Sequence, residues 1–214
     1  MEQNNTNIPT RGPLSARIIS ILLHPVFMPL LSCLLLYYLL PGEFAKTSAK
    51  VLSGWLGMII INTVIFPVIL LLLLKGLGFI SSIYLHKVKE RVIPLIGTMV
   101  FYFWPYLVVK NVHAPLAANI LLLGNFWGIT VVFLFTIFMK VSMHTAGVGS
   151  MLGFMIVLMG LSGSLFLLPL MAVLAAAALI GWARYASGAH RPLELWLGYG
   201  IGILAQLGAW IYLG

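Results

Sequence analysis

Long apolar runs alternate with short polar connections along this chain. A helix rises about 1.5 Å per residue, so roughly 20 apolar residues cross the ~30 Å hydrocarbon layer of a bilayer. The pattern predicts an all-α fold, a polytopic transmembrane helix bundle of about six to seven spans. A polar tail, residues 1–15, precedes a single transmembrane domain, residues 16–214. The expected spans are 16–40, 51–74, 92–109, 116–139, a fifth that follows residues 141–147 and continues to about 161, 165–182 and 192–214.

The composition sets the class of protein and the kind of partner. Of the 214 residues, 62% are hydrophobic and only 7% are charged, which excludes a water-soluble domain. Twelve Lys and Arg face four Asp and Glu, giving a net charge of +8. The basic residues lie beside apolar runs, so the expected partners are the lipid bilayer and its phosphate headgroups, with no nucleic acid. Lipid accounts for the apolar surface, which therefore indicates no particular oligomeric state.

A few residues interrupt the apolar runs. His24-Pro25 predicts a kink in the first span, with His24 as a hydrogen-bonded interior residue. Asn62 is expected to face other helices. The glycines at 149 and 153 form a small-x-x-x-small pattern, which predicts close approach between two helices.

Three polar segments, residues 84–94, 140–147 and 184–194, carry most of the candidate chemistry. Two membrane crossings separate each segment from the next, so all three should meet at one membrane face. Scattered lipid-facing charges would not need such a convergence. The order of the segments therefore predicts a polar pocket at that face.

The residue types in these segments suit cleavage of a phosphate ester. His190 and Glu194 are four apart at a helix start, so Glu194 can hold one ring nitrogen while the other attacks phosphorus. Arg184 can bind two phosphate oxygens, and His144 can protonate the leaving oxygen. The other candidate phosphate ligands are Arg91, Lys87, Lys89, Lys140, Ser142 and the backbone N–H groups around Ser187 and Gly188 and at the start of the seventh span.

The third segment, Arg184-x5-His190-x3-Glu194, resembles the third signature of the type 2 phosphatidic acid phosphatase superfamily, S-R-x5-H-x3-D. Residues 142–145 are similar to its second signature, P-S-G-H with a following threonine. Residues 87–94 are a weaker match to its first, K-x6-R-P. The chain differs in having Glu194 for Asp, Ala183 for Ser and Met143 for Gly. It is also similar to short superfamily members of Bacteroidetes-type bacteria, which carry His-Pro near the N-terminus.

The resemblance implies an integral membrane lipid phosphatase that needs no metal or other cofactor. His190 would form a phosphohistidine, His144 would be the leaving-group acid and Glu194 the orienting carboxylate. Arg91 and Arg184 would bind phosphate. The implied substrates are phosphatidate, phosphatidylglycerol phosphate or a lipid pyrophosphate, and the implied location is a bacterial inner membrane.

Other functions stay open. A relative could bind phospholipid headgroups without turnover, and the chain could also be a purely structural membrane protein. A metal- or proton-coupled transporter could use His144, His190 and Glu194 as ligands or relay groups, although Arg91 and Arg184 would repel a cation. The membrane side also stays open. Without the six site-segment cations, the remaining Lys and Arg divide three against three between the two faces. Those six are Lys87, Lys89, Arg91, Lys140, Arg184 and Arg191.

Overall fold

The computed structural model describes residues 12–83, 85, 88–112 and 114–214. These residues are all-α and contain no β-strand. Their helices are α1 (Leu14–Leu22), α2 (Met28–Leu39), α3 (Ala49–Ile60), α4 (Phe66–Gly76), α5 (Val92–Asn111), α6 (Leu116–Phe138), α7 (Met143–Ser162), α8 (Leu167–Ala186) and α9 (Pro192–Leu213).

Within this part of the chain, seven helical stretches are long and apolar enough to cross a membrane. The α1–α2 pair, Leu14–Leu39, forms the first span and the α3–α4 pair, Ala49–Gly76, forms the second. The helices α5 to α9 form the other five. The predicted class, an all-α polytopic bundle, is confirmed. The proposed polar tail lies mostly outside the described residues, and α1 begins at Leu14, within its last two residues.

The first span is broken at the predicted His-Pro position. α1 ends at Leu22, and a 3₁₀ turn, Pro25–Phe27, precedes α2. Proline has no backbone N–H to continue the helical ladder. Nδ1 of His24 instead accepts a hydrogen bond from the N–H of Val26 at 3.3 Å, which caps the turn. The expected kink is therefore a complete break between two helices.

The second span contains a π-helical turn, Ile61–Ile65, just before Pro67. Side chains satisfy nearby carbonyls of the same span. Nδ2 of Asn62 donates to the carbonyl of Met58 at 2.9 Å. Asn62 is buried, in line with the expectation that it faces other helices, but its hydrogen bond stays within its own helix.

The parallel helices α7 and α9 pack with their backbones in contact. A Cβ added to Gly149 would lie 2.6 Å from the carbonyl oxygen of Tyr199, and one at Gly153 would lie 2.8 Å from Cα of Ile203. Only glycine fits this approach, so the predicted small-residue contact is confirmed. It brings the first turns of both helices together.

A buried polar cluster joins α6 to this helix pair. The hydroxyl of Ser150 donates to Oδ1 of Asn125 at 2.8 Å, and Nε2 of Gln206 donates to the Ser150 hydroxyl at 2.8 Å. Interhelical hydrogen bonds in a membrane contribute about 0.6 kcal/mol each on average. This cluster fixes α6 against α7 and α9, and so helps to place the segment that follows α6.

Candidate functional site

Hydrogen bonds join the three polar segments directly. Nη1 of Arg91 donates to the carbonyl of Val141 at 3.2 Å, linking the first segment to the second. Nζ of Lys140 donates to the carbonyl of Ala189 at 2.5 Å, linking the second to the third. The predicted convergence at one end of the bundle is confirmed by these contacts.

The N-termini of α7 and α9 are also tied together. The N–H of Ser142 donates to the carbonyl of Glu194 at 3.2 Å. The Ser142 hydroxyl accepts from the N–H of Thr145 at 3.4 Å, and Ser142 is fully buried. Its side chain is therefore an N-cap of α7 in this structure, and phosphate binding by Ser142 stays a prediction.

His190 and Glu194 form the pair expected from their spacing. Nδ1 of His190 lies 2.7 Å from Oε2 of Glu194. A carboxylate only accepts hydrogen bonds, so Nδ1 carries the proton and the lone pair is on Nε2. Among the described residues Nε2 of His190 has no hydrogen-bond partner, and the His190 side chain is 3% exposed.

A tight turn places this pair. Gly188 has φ +61°, in the left-handed region that favours glycine, and ends α8. Pro192 at the first position of α9 starts the next helix. The N–H groups of Ser187, Gly188 and Ala189 donate to carbonyls in the last turns of α8. The N–H groups of Ser187 and Gly188 are therefore already used by the helix end, and phosphate binding by backbone N–H groups at the start of α9 stays a prediction.

Three cations surround His190. Burial lowers the pKa of His190 to about 4, and the charges of Lys140, Arg184 and Arg91 act in the same direction. The hydrogen bond to Glu194 opposes them but does not prevail. The imidazole is therefore neutral at pH 7, as a nucleophile must be.

Charged groups of the same site also shift the pKa of Lys140. Burial lowers its pKa first, then the charge of Arg91, while Glu194 acts in the opposite direction. Arg184 also lowers it. Glu194 offsets the charges of Lys140 and Arg91, and Arg184 adds a third cation. This excess of positive charge over Glu194 favours an anion.

Arg184 has unused hydrogen-bonding capacity. Its Nε atom is buried and has no partner in the described part of the chain, while Nη1 donates to the hydroxyl of Ser20 at 3.4 Å. A buried guanidinium donor without an acceptor is costly. A phosphate oxygen would supply the acceptor.

His144 lies in the first turn of α7. Its Nε2 atom is 3.1 Å from the carbonyl oxygen of Ser20, which can only accept, so Nε2 carries a proton. Nδ1 is then the nitrogen left for a substrate. The ring of His24 packs against the His144 ring, with centroids 5.1 Å apart and planes at 79°.

The residues of the first polar segment differ in how closely they are joined to the rest of the site. Arg91 is 5% exposed, and its Nε donates to the carbonyl of Leu85 at 2.9 Å. Lys89 is exposed on the 3₁₀ turn Val88–Arg91 and makes none of the hydrogen bonds that join the segments. Lys87 lies outside the described residues. Phosphate binding by these two lysines stays a prediction.

The sequence did not identify the N-terminal helix as part of this region. Ser20 contacts both His144 and Arg184, and His24 contacts His144. The contact from Ser20 to His144 uses a backbone carbonyl, for which no sequence signal exists. The His24-Pro25 step was visible, but its proximity to α7 was not.

Removing the charge of Lys140 should raise the pKa of His190. In Lys140→Met, one of the cations that disfavour imidazolium is gone, so His190 should take up its proton at a higher pH than in the wild type. NMR titration of the His190 ring would measure this. Lys46→Met, in the loop at the other end of the bundle, is the matched control. An unchanged titration in Lys140→Met would contradict the charge arrangement described here.

In the described residues, no three His, Cys, Asp or Glu side chains lie close enough together to hold a metal ion. Comparison of the chain with family models, curated proteins and solved structures finds no match. The fold therefore defines a multi-pass, all-α membrane protein with a cationic, histidine-bearing site at one end of its bundle.

Proposed function

We propose that this protein is an integral membrane lipid phosphatase, a metal-independent hydrolase that acts through a phosphohistidine. The observation that carries the proposal is the environment of His190. Its Nδ1 is held by Glu194 at 2.7 Å, its Nε2 has no partner among the described residues, and Lys140, Arg91 and Arg184 surround it. A neutral nucleophile inside a cationic cluster suits attack on a phosphate.

In the first step, the lone pair on Nε2 of His190 forms a bond to phosphorus and the bond from phosphorus to the leaving oxygen breaks. Glu194 stabilises the positive charge that develops on the imidazole, because its carboxylate faces Nδ1. The negative charge of the bound phosphate offsets the nearby cations and favours a second proton on His144, at Nδ1. His144 gives this proton to the leaving oxygen, while its Nε2–H stays on the carbonyl of Ser20.

In the second step, water attacks phosphorus and the phosphorus–nitrogen bond breaks, so its electron pair returns to Nε2 of His190. His144 now takes a proton from that water and recovers its starting state. Arg184, through its unpaired Nε, holds the phosphate oxygens in both steps. Arg91 and Lys140 each have N–H donors beyond those given to backbone carbonyls, and they add positive charge.

An apolar groove supports a lipid as the substrate. It has a volume of about 660 Å³ and is lined by side chains of α6 and α9. On α9 it extends from Leu193, next to Glu194, to Leu204, a distance of roughly 16 Å at the helical rise. Half of a hydrocarbon layer is about 15 Å thick, so the groove suits the tail of a lipid whose headgroup occupies the site.

Filling this groove should weaken lipid binding. A Cβ at Gly200, which lines the groove, meets no atom within 4 Å, so Gly200→Leu adds bulk there without a clash at Cβ. We expect KM for a long-chain lipid phosphate to rise threefold to tenfold, roughly 1 kcal/mol. Turnover of a short soluble phosphate ester should be unchanged.

Steady-state kinetics in mixed micelles measures both values. Gly54→Leu is the matched control, because Gly54 also has open space around it but lies on α3, away from the groove. An unchanged KM for the long-chain lipid in Gly200→Leu would show that the tail binds elsewhere.

The cationic surroundings of His190 weigh against a transported metal ion or proton as the substrate of this site, because a cation would be repelled. Headgroup binding without turnover differs from the proposal only in the chemical step. The proposed location is a bacterial inner membrane, and the proposed partners are the bilayer and its phosphorylated lipids.

The test is phosphate release by purified wild-type protein from phosphatidate, phosphatidylglycerol phosphate and a polyprenyl pyrophosphate, each with EDTA. Quenching with alkaline detergent during turnover should trap phosphate on the protein through a bond that is stable in base and is lost on later treatment with acid. Release that survives EDTA, together with this adduct, would support the proposal. Release abolished by EDTA would replace it with metal chemistry, and binding of these lipids without release would assign headgroup binding instead.

A further inference from the structure

The break between α1 and α2 lies against two residues of the proposed site. The carbonyl oxygen of Ser20 faces Nε2 of His144 at 3.1 Å, and the Ser20 hydroxyl accepts from Nη1 of Arg184 at 3.4 Å. The His24 ring meets the His144 ring with centroids 5.1 Å apart, in an edge-to-face arrangement. One short segment, Ser20 to His24, thus contacts both an acid candidate and a phosphate ligand.

Close packing holds this segment in place. A Cβ at Gly12 would lie 2.6 Å from Cα of Ser187, so the chain entering α1 touches the end of α8. A Cβ at Gly147 would lie 3.2 Å from Cα of Pro25, so the 3₁₀ turn presses against the second turn of α7. The segment is therefore fixed on both sides and can serve as a rigid support.

The hydrogen bonds define the protonation of both rings. His24 accepts from the N–H of Val26 through Nδ1, so its own proton is on Nε2. His144 donates from Nε2 to Ser20, so a second proton on its ring can only be on Nδ1. The hydrogen bond to the Ser20 carbonyl and the edge-to-face contact with the His24 ring then fix the orientation of the His144 ring.

We propose that residues 20–24 are a fourth segment of the site. In this segment His24 is the positioning residue that holds the His144 ring for proton donation from Nδ1 to the leaving oxygen. This inference rests on the proposed phosphatase function. This segment has the same role for His144 as Glu194 has for His190. The Ser20 carbonyl occupies one ring nitrogen of His144, which leaves the other nitrogen for the substrate.

General-acid catalysis matters most for a poor leaving group. An alkoxide such as that of a diacylglycerol needs a proton to depart, whereas p-nitrophenolate, a stable anion, needs little help. Loss of His144 positioning should therefore slow alkyl phosphates selectively. General damage to the fold would slow both kinds of substrate equally.

Two variants of His24 separate its two contacts. His24→Asn keeps an acceptor near the Nδ1 position, which can cap the N–H of Val26, but removes the ring beside His144. His24→Phe keeps a ring but removes the cap. We expect kcat for phosphatidate to fall about 10- to 100-fold in His24→Asn, less than the roughly 10²- to 10⁴-fold of losing a general acid outright, with p-nitrophenyl phosphate turnover within about twofold of wild type. In His24→Phe, which keeps a ring beside His144, phosphatidate turnover should stay close to that of the wild type.

The outcomes distinguish this inference from the function on which it rests. If the wild type releases phosphate and His24→Asn slows both substrates by the same factor, or neither, the positioning role is wrong and the phosphatase proposal stands. If the wild type releases phosphate from no substrate, both are wrong. If His24→Asn does not fold, His24→Ser, which also lacks the ring but keeps a capping oxygen, is measured in its place. Equal slowing of the two substrates in that variant, or no slowing of either, would contradict the inference.

Discussion

Replacing His190 with asparagine should abolish phosphate release while leaving the fold and phosphate binding in place. The asparagine amide can still donate to Glu194, because Asn places a nitrogen near the Nδ1 position of the imidazole. It has no atom at the Nε2 position, so no phosphorus–nitrogen bond can form. Removal of a catalytic nucleophile lowers kcat by up to about 10⁶-fold in well-studied hydrolases, and we expect at least about 10³-fold here.

The experiment compares phosphate release and the acid-labile protein adduct in wild type and His190→Asn, in EDTA throughout. Binding of inorganic phosphate, followed as a shift in melting temperature, should be retained because Arg184, Arg91 and Lys140 are unchanged. Lys46→Gln, which removes a charge at the other end of the bundle, is the control and should keep full activity. Undiminished release by His190→Asn would rule out His190 as the nucleophile.

The fold follows largely from composition and length. Runs of about 20 apolar residues leave few alternatives to transmembrane helices, because lipid offers no partner for backbone N–H and C=O groups. The complete break at His24-Pro25 could not be predicted from the sequence, which indicated only a kink. Proline breaks the ladder, but whether a helix kinks or ends depends on neighbouring groups, and here His24 caps a new turn in place of the missing bond.

The site was predictable where its geometry is local. His190 and Glu194 share a helix face at i and i+4, and their 2.7 Å contact follows from that spacing. The number of membrane crossings between the three segments predicted that they lie at one face. The contacts that the sequence could not supply involve backbone atoms, such as the carbonyls of Val141 and Ala189 that accept from Arg91 and Lys140. A backbone acceptor exists at every residue, so only the packing of the helices selects one.

The positions of Arg91 and Lys140 show why side-chain type alone leaves the cations of this site ambiguous. Both residues join the polar segments by donating to carbonyls, and both contribute charge that lowers the pKa of His190. Their replacement would alter packing and electrostatics together. Arg184 is the clearer candidate for a phosphate ligand, because its Nε is buried and has no hydrogen-bond partner in the described part of the chain.

Glu194→Gln should lower kcat by about 10³- to 10⁴-fold, the effect of the equivalent change in a hydrolase triad, and at the same time tighten phosphate binding. The glutamine NH₂ can donate to Nδ1 of His190, which would move the ring proton to Nε2 and remove the attacking lone pair. Loss of the carboxylate leaves the three cations unopposed, so an anion should bind more strongly. Glu194→Asp keeps the charge on a shorter side chain and should retain partial activity. Kinetics together with phosphate titration checks both effects, and weaker phosphate binding in Glu194→Gln would contradict the charge argument. A fall in kcat with a fall in Kd is diagnostic, because general misfolding would weaken binding as well as turnover.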